Sequence, residues 1–418
     1  MTARGGLAPC KSKMPSITDL HSSATIFSGS GQTPSRYNER NSVPKGNIMP
    51  KKYRAAVIGA TGKGSYGHGL DTAFSRLDRV ELIAVADENP AGLRMAGKRL
   101  NVDRLYSDYR DMLAKEKPDI VSIGPRWIDE RAAMVEAAAS AGCHIYCEKP
   151  FSGNLVDADR MMAAVNKADV KIAVAHQFRG MPPLRKAIKD LKAGKYGRLL
   201  RLRARPKDDH RGGGEELVVH GTHLFDMMIA FVGPPRWVSG HVAVGSRDAT
   251  LQDTCQGTEP VGPIAGDSIA ATIGFDHGVH GFFDSTANLD RNGRFLYGMM
   301  LECEKATLHI RRLGDVYVYP APQVLPELPD LEWEKIWIED WHFTPEHKPA
   351  DLRDWLHRGN KVLVEELIAA VETGREPTAS GESARLVLEI VQGVYASHLS
   401  GGRRLSIPLK DRRHPLGG

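Results

Sequence analysis

The strongest constraint on this chain is a short apolar run that stops at glycines, followed one helix-length later by a second apolar run that stops at an acid. The first is Arg54-Ala-Ala-Val-Ile-Gly59, and the second is Val80-Glu-Leu-Ile-Ala-Val-Ala-Asp87. Between them lies the loop Gly59-Ala-Thr-Gly62-Lys-Gly64-Ser-Tyr-Gly67-His-Gly69, and His68–Leu77 reads as a helix. Strand, glycine turn, helix and strand in this order make a βαβ unit of the kind that holds a dinucleotide. The glycines let the backbone approach a pyrophosphate, the helix N-terminus faces its charge, and the terminal carboxylate holds ribose hydroxyls. Gly59, Gly62, Gly64 and Gly67 are therefore candidate cofactor contacts, with Thr61 standing where GxGxxG has its second glycine. Asp87 lies 20 residues beyond Gly67, the interval expected of the ribose carboxylate. A glycine-rich turn with no ligand is the bland alternative, and strand, helix and Asp87 together weigh against it. Asp87 and Glu88 would repel a 2′-phosphate and no Arg follows immediately, so NAD is favoured over NADP.

The alternation continues with a strand at Asp119–Gly124, a helix at Glu130–Ala141, a strand at His144–Cys147 and a last strand at Lys171–Ala175. An α/β fold with a parallel sheet follows. Ligands of such sheets sit at the carboxyl ends of the strands. Pro125, Trp127, Glu148, Lys149 and His176 project from that edge as candidate cofactor contacts, and Arg179 emerges there too. Lys149 is the residue with the clearest chemical use. A lysine is ordinarily a solvated surface charge, but at the end of an apolar strand beside a nicotinamide, desolvation and a cationic ring both lower its pKa. It could then accept a hydroxyl proton while hydride leaves carbon.

At 418 residues the chain is long enough for two cores of ordinary size. No stretch has the length and hydrophobicity of a membrane span, so a soluble protein is expected. Five cysteines (Cys10, Cys143, Cys147, Cys255, Cys303) include no CxxC pair, which argues against a disulfide framework or structural zinc and for a reducing cytoplasm. Residues 1–52 hold eight Lys/Arg against Asp19 and Glu39, so the net +5 of the chain resides in that segment and the body is near neutral. That balance excludes nucleic acid as an expected partner. Residues 1–50, rich in Ser, Gly, Pro, Asn and Thr with no apolar period, read as disordered or as a loosely docked arm.

Further on, the residues resemble a known family. Ala141-Gly-Cys-His-Ile-Tyr-Cys-Glu148-Lys149-Pro150 is similar to the AGKHVxxEKP signature of the glucose-fructose oxidoreductase, inositol dehydrogenase and MocA (Gfo/Idh/MocA) family. Asp108-Tyr109 ahead of Met112-Leu113 resembles its Y-D-xxLL segment, and Gly221-Thr-His223-Leu-Phe-Asp226 its G-x-H-xx-D. The resemblance covers roughly residues 53–410. It implies an N-terminal Rossmann fold over residues 51–178, then an α+β domain over 179–418 with a large open, mostly antiparallel sheet. Strand-like runs at 199–204, 237–244, 268–275, 279–285, 296–303, 306–311 and 316–319 agree, with amphipathic helices at 352–372 and 382–399. A sheet this broad implies a homo-oligomer, dimer or tetramer.

The resemblance makes Lys149 the catalytic lysine and His223 the histidine that hydrogen-bonds the substrate hydroxyl beside it. Lys149, Arg179, His220 and His223 are the expected substrate contacts. One departure stands out: the family often carries Asp four residues before the histidine, and here that position is Val219. His220, Glu215 or Glu216 could substitute. His220, His223 and Asp226 at spacings of three would also suit a metal, but that spacing is less typical than HExxH and the relay is preferred, with no metal expected. Trp333, Trp337 and Trp341 recur every four residues as a sugar-stacking platform or, more blandly, as core. Pro206–Gly214 resembles a substrate-proximal loop. The expected activity is NAD-dependent hydride transfer at a hydroxyl or keto carbon of a sugar, polyol or glycoside. The alternatives are a glycosidase-like or sugar–sugar oxidoreductase that keeps NAD bound, and a non-catalytic NAD-binding regulator.

Overall fold

The computed structural model describes residues 51–290, 297–311, 314–328, 330–342 and 352–417. The arm expected over 1–50 lies outside the described residues, as does the first residue of the strand expected from Leu296. Six strands form a parallel sheet: β1 (Tyr53–Ile58), β2 (Val80–Ala86), β3 (Leu105–Tyr106), β4 (Ile120–Ile123), β5 (His144–Cys147) and β6 (Ile172–Val174). Their order is β3-β2-β1-β4-β5-β6, so the chain reverses direction across the sheet between β1 and β4 and opens a crevice there. β1, β4 and β6 are buried on both faces, which is why they read as unbroken apolar runs.

Helices α1 (Pro90–Leu100), α2 (Tyr109–Glu116), α3 (Arg131–Ser140) and α4 (Leu155–Lys167) connect the later strands. Their starts are written in the sequence. Asn89 accepts from the N–H groups of Ala91 and Gly92 with Pro90 at the first turn, Asp108 accepts from Arg110, and Asn154 accepts from Asp157.

The helix expected at His68–Leu77 is absent, and a series of turns takes its place. Gly67, Gly69 and Arg76 have positive φ, which a right-handed helix cannot contain. The Thr72 and Ser75 hydroxyls donate to the carbonyls of Gly69 and Thr72, at 3.0 and 2.7 Å, competing for acceptors a helix would use. Leu70, Ala73, Phe74 and Leu77 still bury on the sheet, against Leu363, Val364, Leu367 and Ile368 from far along the chain.

The chain then leaves the parallel sheet through α5 (Pro182–Lys192), β7 (Leu199–Arg205), α6 (Gly214–Val219) and α7 (Gly221–Val232). Beyond these come β8 (Trp237–Val244), β9 (Arg247–Asp248), β10 (Cys255–Gln256), β11 (Pro263–Ile264), β12 (Ser268–Gly274) and β13 (His280–Thr286). The remainder is β14 (Gly298–Cys303), β15 (Thr307–Arg311), β16 (Val316–Tyr319), β17 (Glu334–Lys335), α8 (Glu339–His342), α9 (Leu352–Thr373), α10 (Gly381–Leu399) and β18 (Leu405–Ser406). A ten-stranded sheet runs β17-β16-β15-β14-β7-β13-β12-β8-β18, with β9 on β8. Only β13 and β7 pair in parallel, so the sheet is mostly antiparallel, as expected. Its inner face packs on α7 and α10 through Leu224, Phe225, Met228, Val391 and Val394.

Candidate active site

A cavity of about 280 Å³ opens at the carboxyl ends of β1, β2 and β4. Of the expected cofactor contacts, Gly59, Asp87, Pro125 and Trp127 line it, with Lys63, Glu88, Tyr109 and Arg110 beside them. Thr61, Gly62, Gly64 and Gly67 are not in its wall and shape the loop instead. A Cβ on Gly67 would lie 2.2 Å from Glu148 Oε2 and 2.5 Å from the Gly124 carbonyl, so only glycine lets the loop dock on the tips of β4 and β5. Thr61, in place of the second glycine, donates from its N–H and its hydroxyl to Asp87.

Glu148 and Lys149 end β5 with opposite assignments. Glu148 is fully buried and faces the loop: its Oε2 accepts from the His68 N–H at 2.7 Å and meets His68 Nδ1 at 3.1 Å, while Oε1 accepts from the Lys149 N–H. Burial alone would raise its carboxyl, but His68 and Lys149 bring it down to about 2. Glu148 is thus a strut between strand and loop, not the exposed cofactor contact expected of it. Lys149 is 4% exposed, and its Nζ donates to the Val219 carbonyl at 3.1 Å. Burial lowers its pKa, opposed by Glu148 and Glu259 and helped by Arg126 and Arg211.

Two residues that sequence reasoning missed hold this corner together. Arg131 of α3, 1% exposed, donates to the carbonyls of Pro125, Glu148 and Pro150, tying both expected site segments to one guanidinium. Asn360 of α9 accepts from Tyr146 and Gln177 and donates to the His68 carbonyl. No local pattern marks either, because their partners come from distant segments.

His220 and His223 both approach Lys149, whose charge helps hold each imidazole neutral after burial has already pushed both well below 6.5. His223 is 7% exposed, has no hydrogen-bond partner at Nδ1, and meets the rings of His176 and Phe178 edge-on at 5.6 and 5.5 Å. His220 has what His223 lacks: its Nδ1 lies 2.7 Å from Oε1 of the buried Glu216, four residues earlier. The carboxylate absent at Val219 is therefore present one helical turn back, on the neighbouring histidine. Arg211 flanks the pair, 3.5 Å from Glu216, 3.5 Å from Glu259 and 3.1 Å from Asp209, and Arg126 lies 3.6 Å from Glu259.

Two expectations, for Arg179 and His176, are corrected here. Arg179 is not free for substrate: its Nε and Nη2 bond both Asp226 oxygens at 2.7 and 2.9 Å, and the rest of the guanidinium bonds Ser383 and the Thr378 carbonyl. His176, 2% exposed, lies 3.3 Å from the same carboxylate rather than at an open cofactor edge. Asp226 is consequently turned away from His220, and the three side chains at spacings of three do not converge. The tryptophans form no platform, since only 339–342 is helical; Trp341 is buried under Arg358, Trp337 stacks on His342, and Trp333 packs on Tyr319. In Pro206–Gly214 the glycines serve close packing: a Cβ on Gly212, Gly213 or Gly214 would fall within 2.6 Å of the backbone of Ala287, Asp267 or Ala265.

The cavity, the glycine loop and the carboxylates at the end of β2 fit the nucleotide part of a dinucleotide, with Lys149 at the far end of the same edge. NAD supplies a hydride acceptor or donor when bound. The chain supplies a buried amine of lowered pKa that can take or return a hydroxyl proton, and two neutral imidazoles beside it.

The sequence pattern of one family, described as "Oxidoreductase family, NAD-binding Rossmann fold" (GFO_IDH_MocA), matches residues 53–176. The chain is 34% identical over 147 residues to D-apiose dehydrogenase of Paraburkholderia graminis, covering 35% of this chain and 38% of that protein. It is 23% identical over 357 residues to myo-inositol 2-dehydrogenase of Thermotoga maritima, covering 85% and 98%. The match thus spans under half of the first relative and nearly all of the second. Among solved structures, levoglucosan dehydrogenase with NADH and levoglucosan superposes with a TM-score of 0.68 at 19% identity, covering 86% of this chain and 100% of that one. An NAD-binding oxidoreductase of Klebsiella pneumoniae gives the same TM-score, identity and coverage.

Proposed function

We propose that this chain is a member of the Gfo/Idh/MocA family of NAD-binding oxidoreductases, whose pattern matches residues 53–176, and that it oxidises or reduces one hydroxyl or keto carbon of a sugar or polyol. Residues 51–178 hold NAD in this reading, and 179–418 shape the substrate side. The observation that carries it is Lys149, buried at 4%, anchored to the Val219 carbonyl and lowered in pKa, at the strand edge that ends in the nucleotide cavity. Lys149 is the acid–base group. His223 positions the hydroxyl, and the Glu216-backed His220 completes the proton path. Arg211 and Arg126 are answered by Asp209, Glu216 and Glu259, which favours an uncharged substrate. The dehydrogenases of apiose, inositol and levoglucosan among the relatives support the same class.

No described helix is long and apolar enough to cross a membrane. Four cysteines are free among the described residues, which supports a reducing, cytoplasmic setting. Self-association as a homo-oligomer is the further part of the reading, supported by the breadth of the ten-stranded sheet and checked by sedimentation.

The test is Lys149→Ala, assayed against a panel of sugars and polyols with NAD. Turnover should fall roughly 10²-fold to 10⁴-fold with NAD binding retained. Near-native turnover on any substrate of the wild type would remove Lys149 from the chemistry and the reading with it.

A further inference from the structure

The acids around Lys149 and Arg211 are not equally occupied. Glu148 holds the His68 and Lys149 N–H groups, Asp209 holds the Arg211 N–H and guanidinium, and Glu216 holds His220 and the Lys207 N–H. Glu259 differs. Among the described residues its oxygens meet two ion-pair partners, Arg211 Nη1 at 3.5 Å and Arg126 Nη1 at 3.6 Å, and no hydrogen-bond donor. Both separations exceed the roughly 2.7–2.9 Å of a charge-assisted hydrogen bond, so the lone pairs of this carboxylate stay available.

The backbone that carries Glu259 is fixed. It lies between β10 and β11, where the buried Glu215 accepts from the Thr258 N–H at 3.0 Å, from the Thr258 hydroxyl and from the Glu259 N–H at 3.2 Å. Arg126 reaches it from the opposite side of the site, the loop after β4. That loop is held against the glycine loop, since a Cβ on Gly64 would fall 2.5 Å from the Arg126 nitrogen. Among the described residues nothing accepts a hydrogen bond from the Arg126 guanidinium, and the Arg126 and Glu259 side chains are 40% and 23% exposed. An acceptor and a donor fork, each held by its backbone and each open to solvent, therefore face one another beside Lys149, which feels both charges.

A hydroxyl can donate and accept, so two neighbouring hydroxyls match this pair: one donates to Glu259 while the next accepts from Arg126. An isolated alcohol satisfies only one of the two. We infer that Glu259 and Arg126 recognise a pair of neighbouring hydroxyls on the substrate, beside the carbon that Lys149 serves, which narrows the substrate class to vicinal diols. This rests on the proposed oxidation or reduction of a sugar or polyol.

The full-length protein is assayed with NAD on D-glucose, D-xylose and myo-inositol and on their monodeoxy derivatives, and NADH binding is followed by nicotinamide fluorescence. With the wild type, a derivative lacking one recognised hydroxyl should show a KM raised roughly 10-fold to 100-fold over its parent. Glu259→Gln and Arg126→Gln should each raise the KM of the parent by a similar factor with kcat little changed, and leave NADH affinity and the melting temperature as they were. The deoxy derivative should be insensitive to the substitution whose partner it lacks. Variants that weaken parent and derivatives equally, or whose loss is confined to kcat or to NADH affinity, overturn the inference. Wild-type protein that turns over none of these compounds overturns the sugar or polyol reading instead, so the two failures are distinct.

Discussion

At the scale of single residues, the site contains a lysine whose titration is moved below the ordinary lysine value by burial. Burial lowers Lys149 from 10.5, and it holds His220 and His223 well below 6.5. Oxidation needs the free amine, whose fraction grows as pH rises through its pKa; reduction needs the ammonium, which declines along the same limb. The rate of hydroxyl oxidation should therefore climb along one limb centred below 10.5, with carbonyl reduction its mirror image. Nicotinamide absorbance across that range reads both directions, and a limb centred at 6.5 would assign the proton to an ordinary histidine. Lys149 was legible in the sequence because its strand, its neighbours and its family signature all lie within ten residues. Arg179 was misread for the opposite reason: Asp226 and Ser383, which bind it, lie 47 and 204 residues away. Glu216 was among the substitutes expected for the aspartate missing at Val219, and the structure pairs it with His220 rather than with His223.

At the scale of elements, the longer strands of both sheets were read within a residue or two, since apolar runs between turn residues follow directly from burial, whereas the two-residue strands β3, β9 and β17 carry too little pattern and were not read. The failed element is the helix after β1, where positive φ and hydroxyl-to-carbonyl bonds overrode a helical-looking composition. Arg131 carries the largest single consequence at this level. Replacing it with Met keeps the volume but leaves the carbonyls of Pro125, Glu148 and Pro150 without their buried donor. We expect Arg131→Met to lose about 2–5 kcal/mol of stability, measured by urea unfolding. A loss within experimental error would mean that water or a shifted backbone replaces the guanidinium.

At the scale of the whole molecule, α9 and α10 return to the parallel sheet after the second sheet is complete, through Leu363, Leu367, Ala384 and Leu388. Stability is therefore shared between the two sheets, and Glu148 gives it a pH dependence. Its carboxyl lies at about 2 in the fold against 4.5 ordinarily. A lowered folded value means that its contribution is full above 4.5 and is lost as pH falls toward 2. Glu148→Gln should flatten that part of the stability profile by on the order of 3 kcal/mol, read as the urea midpoint against pH. An unchanged acid limb would place the acid sensitivity elsewhere.

The turns that replace the first helix expose this chain to a specific kind of damage. A helix keeps its peptide bonds folded into a cooperative ladder, whereas residues 59–77 are held by scattered contacts to Asp87, Glu148 and Asn360. Lys63 and Arg76 lie on that segment, and the Lys63 side chain is 40% exposed. Trypsin should therefore nick the chain there before it cuts α3 or α4, and bound NAD should slow that cleavage in proportion to the fraction of protein it occupies.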